Sequence, residues 1–249
     1  MASELRIRPA SLADADTAAD FAVVKRAEYE RYSPVFWRRA ADARAKHQPF
    51  LAHCIQSTDF ASFAAERDAE VVGVIIANTR GGPPPFAGDA AASWFVDDFS
   101  VADASLWRTA GRALLDRVAE QAVADGAARL IVVCARQDAE KRSFLVDTGY
   151  DTAAFWWVRP LAPTNSLAQD LEGVEAIVGP APPVYDPGGP VALATSRLEP
   201  SAVSAFSDWA AASGAVLAIV PARTTDTSLA NALEAGGYDA ASEWLVQQF

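Results

Sequence analysis

The stretch VDDFSVADASLWRTAGRALL, residues 96–115, decides the fold of this 249-residue chain. Its first part predicts a strand, because Val96, Phe99 and Val101 stand among acidic and small residues. A polar bend over residues 102–105 follows, and a helix is then predicted by apolar residues at helical spacing: Ala110, Leu114, Leu115 and Val118. A strand that runs into a helix start leaves backbone N–H groups unpaired. Together with the helix dipole, these groups form a site for an anion.

The spacing within this stretch resembles the pyrophosphate-binding signature of the GNAT superfamily of N-acetyltransferases. Val101 is followed ten residues later by Gly111 and then by two leucines. In that family a strand ends in such a valine, and a loop reading roughly Arg/Gln-x-x-Gly-x-Gly/Ala wraps the pyrophosphate of acetyl-coenzyme A. In this register the family's Arg/Gln is Leu106, a frequent glycine is Trp107 and the first motif glycine is Thr109. A shift of two residues recovers the loop pattern but places the leucines too early.

The resemblance implies that acetyl-coenzyme A is the co-substrate and that no metal takes part. Its contacts would come from the end of the strand, from the loop and helix start, and from a second helix that begins at Asp138, where the family usually has an asparagine. Lys141 and Arg142 in that helix would meet phosphates, or would form an ordinary solvated face. The predicted contacts are Phe99, Ser100, Val101, Leu106, Trp107, Arg108, Thr109, Ala110, Gly111, Arg112, Asp138, Lys141 and Arg142.

Two adjacent aspartates are the candidates for catalysis. In GNAT enzymes the base that deprotonates the amine is frequently a carboxylate on the strand before the phosphate loop, and Asp97 and Asp98 stand there. Strand alternation predicts that they point to opposite faces, with Asp97 on the side of Phe99, so that one at most enters the cleft. An ordinary solvated role for both residues is the alternative. The family's acid, a tyrosine, falls on Leu145.

The acceptor wall is predicted between the first two strands. Helices are predicted over residues 14–32 and 36–55, and by analogy with the family they offer Tyr29, Tyr32, Phe36, Trp37 and His47 as substrate contacts. The alternative is packing, since aromatic residues at helical spacing usually belong to a core. The acceptor itself, a small-molecule amine or an N-terminus, is not specified.

The order of elements predicts an α/β (α+β) fold. A strand near residues 5–7, a hairpin over 61–78, the strand at 96–101 and strands over 128–134 and 150–158 alternate with helices. This order is similar to a GNAT domain over residues 5–160. It implies a mixed, mostly antiparallel central sheet flanked by helices.

A repeat accounts for the rest of the chain. The sequence Gly149-Tyr-Asp recurs 88 residues later as Gly237-Tyr-Asp, and Trp156 meets Trp244 in the same register. The upstream anchors, Phe86 and Tyr185, are 99 residues apart, which is 11 more than the shift of 88 at the later anchors. The second copy is therefore 11 residues shorter between its anchors, and the missing residues are those of the phosphate loop. We therefore expect two units, residues 1–160 and a truncated GNAT-like repeat over 161–249. Its sheet should pack beside the first, within one chain or between two.

Composition bounds the partners. The net charge of −11 argues against nucleic acid and against an anionic membrane. No window of 18 residues is uninterruptedly apolar and the first residues lack a signal core, so a cytoplasmic protein is expected. The two cysteines, Cys54 and Cys134, are expected to be buried free thiols.

Three functions remain open from sequence. The first is an acyltransferase that moves an acetyl or other acyl group from acetyl-coenzyme A to an amine. The second is a degenerate GNAT scaffold that binds a ligand or partner without catalysis. The third is a homodimeric interaction module, with the aromatic run Phe155, Trp156 and Trp157 at the interface; the alternative for that run is the core.

Overall fold

A computed structural model describes residues 4–89, 91–164, 171 and 173–249. This part of the chain contains ten strands and six α-helices. The strands are β1 (Arg6–Pro9), β2 (Phe60–Arg67), β3 (Glu70–Asn78), β4 (Ser93–Val101), β5 (Arg129–Ala135), β6 (Asp151–Pro160), β7 (Ala176–Gly179), β8 (Val191–Ala194), β9 (Leu217–Arg223) and β10 (Asp239–Gln248). The helices are α1 (Ala15–Tyr32), α2 (Ala43–Gln56), α3 (Arg112–Ala124), α4 (Ala139–Asp147), α5 (Val203–Ala212) and α6 (Thr227–Ala235).

All ten strands belong to one sheet, in the order β1-β2-β3-β4-β5-β10-β6-β9-β8-β7. Among these strands only the pairs β4–β5 and β8–β9 are parallel. The remaining seven pairs are antiparallel. The predicted mixed, mostly antiparallel sheet flanked by helices is therefore confirmed.

The repeat appears in the sheet as an exchange of strands. β10 lies between β5 and β6, while β6 lies between β10 and β9. The order β4-β5-β10-β6 is therefore matched by β8-β9-β6-β10, which reads in the opposite direction across the sheet. Each half of the repeat contributes its last strand to the other half, and the two halves join within one chain.

The segment before α2 differs from its prediction. The helix predicted over residues 36–55 begins only at Ala43. Arg39 instead forms a β-bridge with Tyr185, and the Ala40 N–H donates to the Val184 carbonyl over 3.1 Å. The loop of the second half thus takes backbone groups that a longer helix would have used, and a local sequence pattern does not report such a distant partner.

Side chains that alternate along the strands point to two faces of the sheet, one covered by helices and the other bordering a cavity. The helix face predicted in α3, with Leu114, Leu115 and Val118, is buried against β2, β3 and β5. In β9, Ala218 and Val220 pack with α5 and α6, whereas Leu217 and Ile219 lie on the other face. Cys54 and Cys134 are buried free thiols, as expected.

Candidate functional site

The site begins where β4 and β5 separate. The two parallel strands pair from Ser93 and Arg129 as far as Val96 and Val132, and each then continues without the other. On the other side of β4, Ala77 pairs with Val96 and Ile76 pairs with Asp98. Asp97 is thus the extra residue of a β-bulge, which re-aims the side chains at this point.

The bulge brings both aspartates to one pocket. Asp97 and Asp98 line it together with Arg26 and Lys141. The expectation that alternation would send them to opposite faces is wrong, because an extra residue in the strand breaks the two-residue period. Sequence pattern alone does not locate such a residue.

The two carboxyl groups have different pKa values. Asp97 has exposed surface, which faces the cavities beside β4. Desolvation by the surrounding protein and the neighbouring Asp98 charge raise the pKa of Asp97 to about 6. Burial also acts on Asp98, but a hydrogen bond from His47 and the positive charge of Arg26 outweigh it and lower the pKa of Asp98. Near neutral pH Asp98 is therefore fixed as an anion, whereas Asp97 is poised to exchange a proton.

His47 and Arg26 hold Asp98 from helices α2 and α1. His47 Nε2 lies 3.3 Å from Asp98 Oδ1, and Arg26 Nη1 lies 2.8 Å from His47 Nδ1. Arg26 Nη2 also lies 3.0 Å from His47 Nε2, so the guanidinium faces both ring nitrogens and the imidazole lies between Arg26 and Asp98. His47 thus positions the second carboxylate.

Asp138 is saturated by partners from the protein. Its carboxylate accepts from the Tyr29 hydroxyl over 3.0 Å, from Lys25 Nζ over 3.1 Å and from the Lys141 backbone N–H over 3.2 Å. The last bond caps the start of α4. Asp138 is a predicted cofactor contact, and in this structure it joins α1 to α4.

The side chains of Lys141 and Trp107 fill the gap beside β4, which is the space where β4 and β5 no longer pair. Lys141 is buried, and its Nζ donates to the Phe99 carbonyl over 3.2 Å. Trp107 is 3% exposed, stands edge-on to Phe99 with ring centroids 4.9 Å apart and stacks on Phe144 at 5.3 Å. Burial lowers the pKa of Lys141, and its Nζ also lies over the Trp107 ring. The backbone edge that β4 leaves free is thereby covered by side chains of the chain itself.

The predicted phosphate loop is wound into helix. Residues 104–106 form a 3₁₀ turn and Trp107–Gly111 a π-helical turn that leads directly into α3. Asp103 caps this start by accepting from the Ser105 N–H over 2.9 Å, and the Trp107 N–H is bonded to the Ala104 carbonyl. A Cβ on Gly111 would stand 2.8 Å from the Trp107 ring, so Gly111 gives room to the indole.

The other predicted cofactor contacts lie around this start. Ser100 and Val101 pair with β3, and Ala110 is buried in the core. Leu106 is partly buried against that core and Thr109 is exposed. The exposed or half-exposed cations are each paired with an acid: Arg108 with Asp147, Arg112 with Asp116, and Arg142 with Glu243.

A second, apolar cavity opens next to the aspartates. This aromatic chamber has a volume of about 280 Å³, and its walls include Phe95, Trp156, Leu217 and Trp244. Asp97 is the single charged residue among the described residues that line it. Trp37 and Tyr185 border both the chamber and the polar pocket. An apolar cavity with one carboxylate at its border is typical of a small-molecule site.

The predicted acceptor contacts fall into three places. Trp37 borders both cavities, Phe36 lines the chamber and Tyr29 lines the polar pocket. Tyr32 packs beside Tyr29, with ring centroids 6.1 Å apart, but its hydroxyl bonds to Glu28 over 2.7 Å and it lines a different surface pocket.

Comparison with known proteins now identifies the family. A model of the acetyltransferase (GNAT) family matches residues 25–150, just over half of the chain. The chain belongs to the GNAT acetyltransferase family. A comparison with curated protein sequences finds no match.

Solved structures resemble both halves of this GNAT protein. A putative acetyltransferase from Thermoplasma acidophilum aligns with a TM-score of 0.63 at 9% identity, over 98% of this chain and 100% of the other. A tandem GNAT protein from the clavulanic acid biosynthesis pathway aligns with a TM-score of 0.53 at 12% identity, over 98% of each chain. These likenesses show that the fold extends through the repeat.

Two further properties of this GNAT chain concern metal binding and membrane crossing. Within the described ranges, no cluster of three or more His, Cys, Asp or Glu side chains is arranged to hold a metal ion. None of the helices described has both the length and the apolar character needed to cross a bilayer.

The sequence patterns did not reveal several residues of the GNAT site, among them Arg26, Tyr185 and Trp244. Arg26 looks like an ordinary charge in α1, and Trp244 like an ordinary repeat of Trp156. Tyr185 had a signal, since it matches Phe86 in the repeat, but its place at the pocket depends on how the two halves pack. Phe155 and Trp156 are partly buried on β6 and Trp157 is buried, with β10 and β9 on either side of the strand.

Proposed function

We propose that the protein is an acyltransferase that moves an acetyl or other acyl group from acetyl-coenzyme A to the amine of a small acceptor, with Asp97 as the general base. The observation that supports this most strongly is the position of the Asp97 carboxylate, at the bulge of β4 and on the border of the polar pocket and the aromatic chamber. An amine in the chamber and an acyl group beside β4 would meet at this residue.

The pKa of Asp97 suits the chemistry. An aliphatic amine in water is mostly an ammonium ion and must lose a proton before it attacks a thioester. A carboxylate with a pKa of about 6 is mostly ionised at pH 7 and still close enough to that pH to accept a proton. Asp98 keeps its negative charge beside Asp97, and His47 keeps Asp98 in place.

The acyl donor needs a local change in packing. As packed here, the gap beside β4 does not fit the thioester arm of acetyl-coenzyme A, because Lys141 and Trp107 occupy it. The predicted contacts from Phe99 to Arg112 therefore remain part of the proposal, and no step of the reaction is assigned to them. The one step that we assign to a residue is the transfer of the ammonium proton to the Asp97 carboxylate.

The two units have separate tasks in this proposal. Residues 1–160 carry the carboxylates and the β4–β5 gap, while residues 161–249 supply walls of the chamber. We propose this division as the functional one, since the exchanged strands already tie both units into one sheet.

The proposal is tested by the pH dependence of acetyl transfer to an amine. The initial rate should rise with pH through about 6, where Asp97 loses its proton. Asp97→Asn should lower the rate by about 10²–10⁴-fold at pH values above about 6, and the difference should shrink at lower pH, where Asp97 of the wild type is itself protonated. Asp98→Asn is the matched control for loss of one charge, and it should shift the pH profile more than it lowers the plateau. A folded Asp97→Asn variant with the wild-type rate would contradict the role of Asp97.

A second candidate is a GNAT protein that binds a small molecule without acyl transfer. The observation that favours it is the closed gap, with Trp107 and Lys141 packed against Phe99. In that case the chamber would still take its ligand, but acetyl-coenzyme A would bind neither to the wild type nor to variants that open the gap.

A further inference from the structure

The aromatic chamber is built from rings that offer flat apolar faces. Trp244 stacks on Phe95 with centroids 5.1 Å apart and an interplanar angle of 19°. Trp156 approaches Trp244 from another side, also at 5.1 Å. Such walls favour an apolar or aromatic body and attract a cation at the ring faces. The chamber is thus suited to one part of a ligand, its hydrophobic part.

The charge of the chamber is confined to one place. Asp97 carries the single charge among the described lining residues, and Ser242 and Tyr185 supply the hydroxyl groups. A ligand with several ammonium or hydroxyl groups would lose its hydration without gaining enough partners, which costs free energy for each unpaired group. A ligand with one amine and an apolar remainder avoids that cost.

The truncated second unit supplies more than half of the lining. Its loop contributes Ala181 and Tyr185, β8 and β9 contribute Val191 and Leu217, and β10 contributes Trp244. Its Leu217 and Ile219 line the chamber on the face of the sheet opposite α5 and α6. The strand exchange brings this wall to Asp97 within one chain.

We propose that the chamber binds a small monoamine carried on an apolar, preferably aromatic, body, with the amine at Asp97 and the body among Phe95, Trp156 and Trp244, and that the second unit is the wall that selects this class. The inference names the acceptor class of the proposed acyltransferase, and to that extent it rests on the proposed function. The binding itself requires no acyl donor and is measured alone.

The test is calorimetric binding to the full chain without acetyl-coenzyme A. The probes are 2-phenylethylamine, its neutral counterpart 2-phenylethanol, and spermidine as a polar polyamine. We expect 2-phenylethylamine to bind at least tenfold more tightly than either of the others at pH 7.5. Asp97→Asn should remove the preference for the amine over the alcohol while the alcohol still binds.

A pair of tryptophan substitutions locates the binding. Ala181→Trp places a large ring in the chamber from a loop and should weaken 2-phenylethylamine binding at least tenfold. Ala205→Trp makes the same substitution at an exposed position of α5 and should leave the affinity unchanged. Circular dichroism checks that both variants fold. Equal affinity for the amine and the alcohol, tighter binding of spermidine, or no effect of Ala181→Trp would each overturn the inference.

The outcome also separates the inference from the proposed function. If 2-phenylethylamine binds as expected but is never acetylated, the acyltransferase proposal fails and the ligand class stands. If spermidine is acetylated through Asp97 and 2-phenylethylamine does not bind, the ligand class is wrong and the acyltransferase proposal stands.

Discussion

Replacing Trp107 by alanine should make acetyl-coenzyme A bind more tightly while making the protein less stable. The indole is buried between Phe99, Phe144 and Lys141, in the gap beside β4 that we propose for the thioester arm. Its removal opens the gap beside β4 but takes away a well-packed side chain. The two effects have opposite signs and are measured separately.

The size of both effects follows from the burial of Trp107. Truncation of a buried tryptophan to alanine costs about 3–5 kcal/mol of stability. In a chain of this size each kcal/mol lowers the melting temperature by about 2–4 °C, so a decrease of about 6–20 °C is expected. If the wild type must expel the indole to bind, part of the same energy opposes binding. At about 1.4 kcal/mol for each factor of ten, Trp107→Ala should improve the affinity at least about tenfold and at most about 10³-fold.

The assay is titration calorimetry with acetyl-coenzyme A, paired with thermal unfolding, at a temperature well below the lowered melting point. Phe206→Ala is the control, because Phe206 is fully buried in α5, stacks on Trp209 and lies in the other core. It should lose similar stability and leave the affinity for acetyl-coenzyme A as it is in the wild type. A folded Trp107→Ala variant whose affinity is unchanged or lower would refute the competition between the indole and the co-substrate.

Three other predictions concern stability. Hydrogen bonds from the Arg8 guanidinium, 2.7 Å away, lower the pKa of Asp14 to about 2. The contribution of Asp14 to the free energy of unfolding is therefore complete above 3.8, its pKa in the unfolded chain, and is lost as pH falls through 2. Asp14→Asn should reduce the free energy of unfolding, measured with urea, by about 2 kcal/mol at pH 7 and by almost nothing at pH 2. A difference between wild type and variant that persists at pH 2 would contradict the link between the pKa of Asp14 and stability. A chain ending at residue 160 should not give a folded monomer in circular dichroism and sedimentation, because β6 then loses both of its neighbours; a stable monomer would show that the strand exchange is dispensable. Glu243→Ala leaves the Thr152 hydroxyl without its partner and should cost about 1–3 kcal/mol in denaturant melts. Arg142→Ala should cost at least as much, because it leaves the buried Glu243 carboxylate without its counter-ion, whereas the half-exposed guanidinium left by Glu243→Ala can be solvated; a smaller cost for Arg142→Ala would contradict this.

The fold could be predicted from the sequence where an element's hydrophobic pattern matches the single layer against which it packs. The strand at Val96 and the helix face through Leu114 follow from periodicity, because both elements bury one side against a single layer. The repeat was readable because Gly149-Tyr-Asp and Gly237-Tyr-Asp begin equivalent exchanged strands. The place of β10 in the sheet was not, since strand pairing between residues so far apart leaves no mark on either local sequence.

The site was readable in its chemistry and not in its geometry. The two aspartates stand out as acids at the end of a strand, but one bulged residue decides that both enter the same pocket. The phosphate-loop region differs for another physical reason. Thr109 and Trp107 stand where the resemblance predicts glycines, and residues 104–111 form helical turns that lead into α3.

The measurement that tests the central proposal most directly is detection of product. Wild type and Asp97→Asn are incubated at pH 8 with isotope-labelled acetyl-coenzyme A and 2-phenylethylamine, and the labelled N-acetyl amide is quantified by mass spectrometry above the uncatalysed background. We expect amide formation by the wild type and its loss by at least about 100-fold in Asp97→Asn. No amide above background with the wild type and with Trp107→Ala, or equal amounts from wild type and Asp97→Asn, would contradict acyl transfer through this carboxylate.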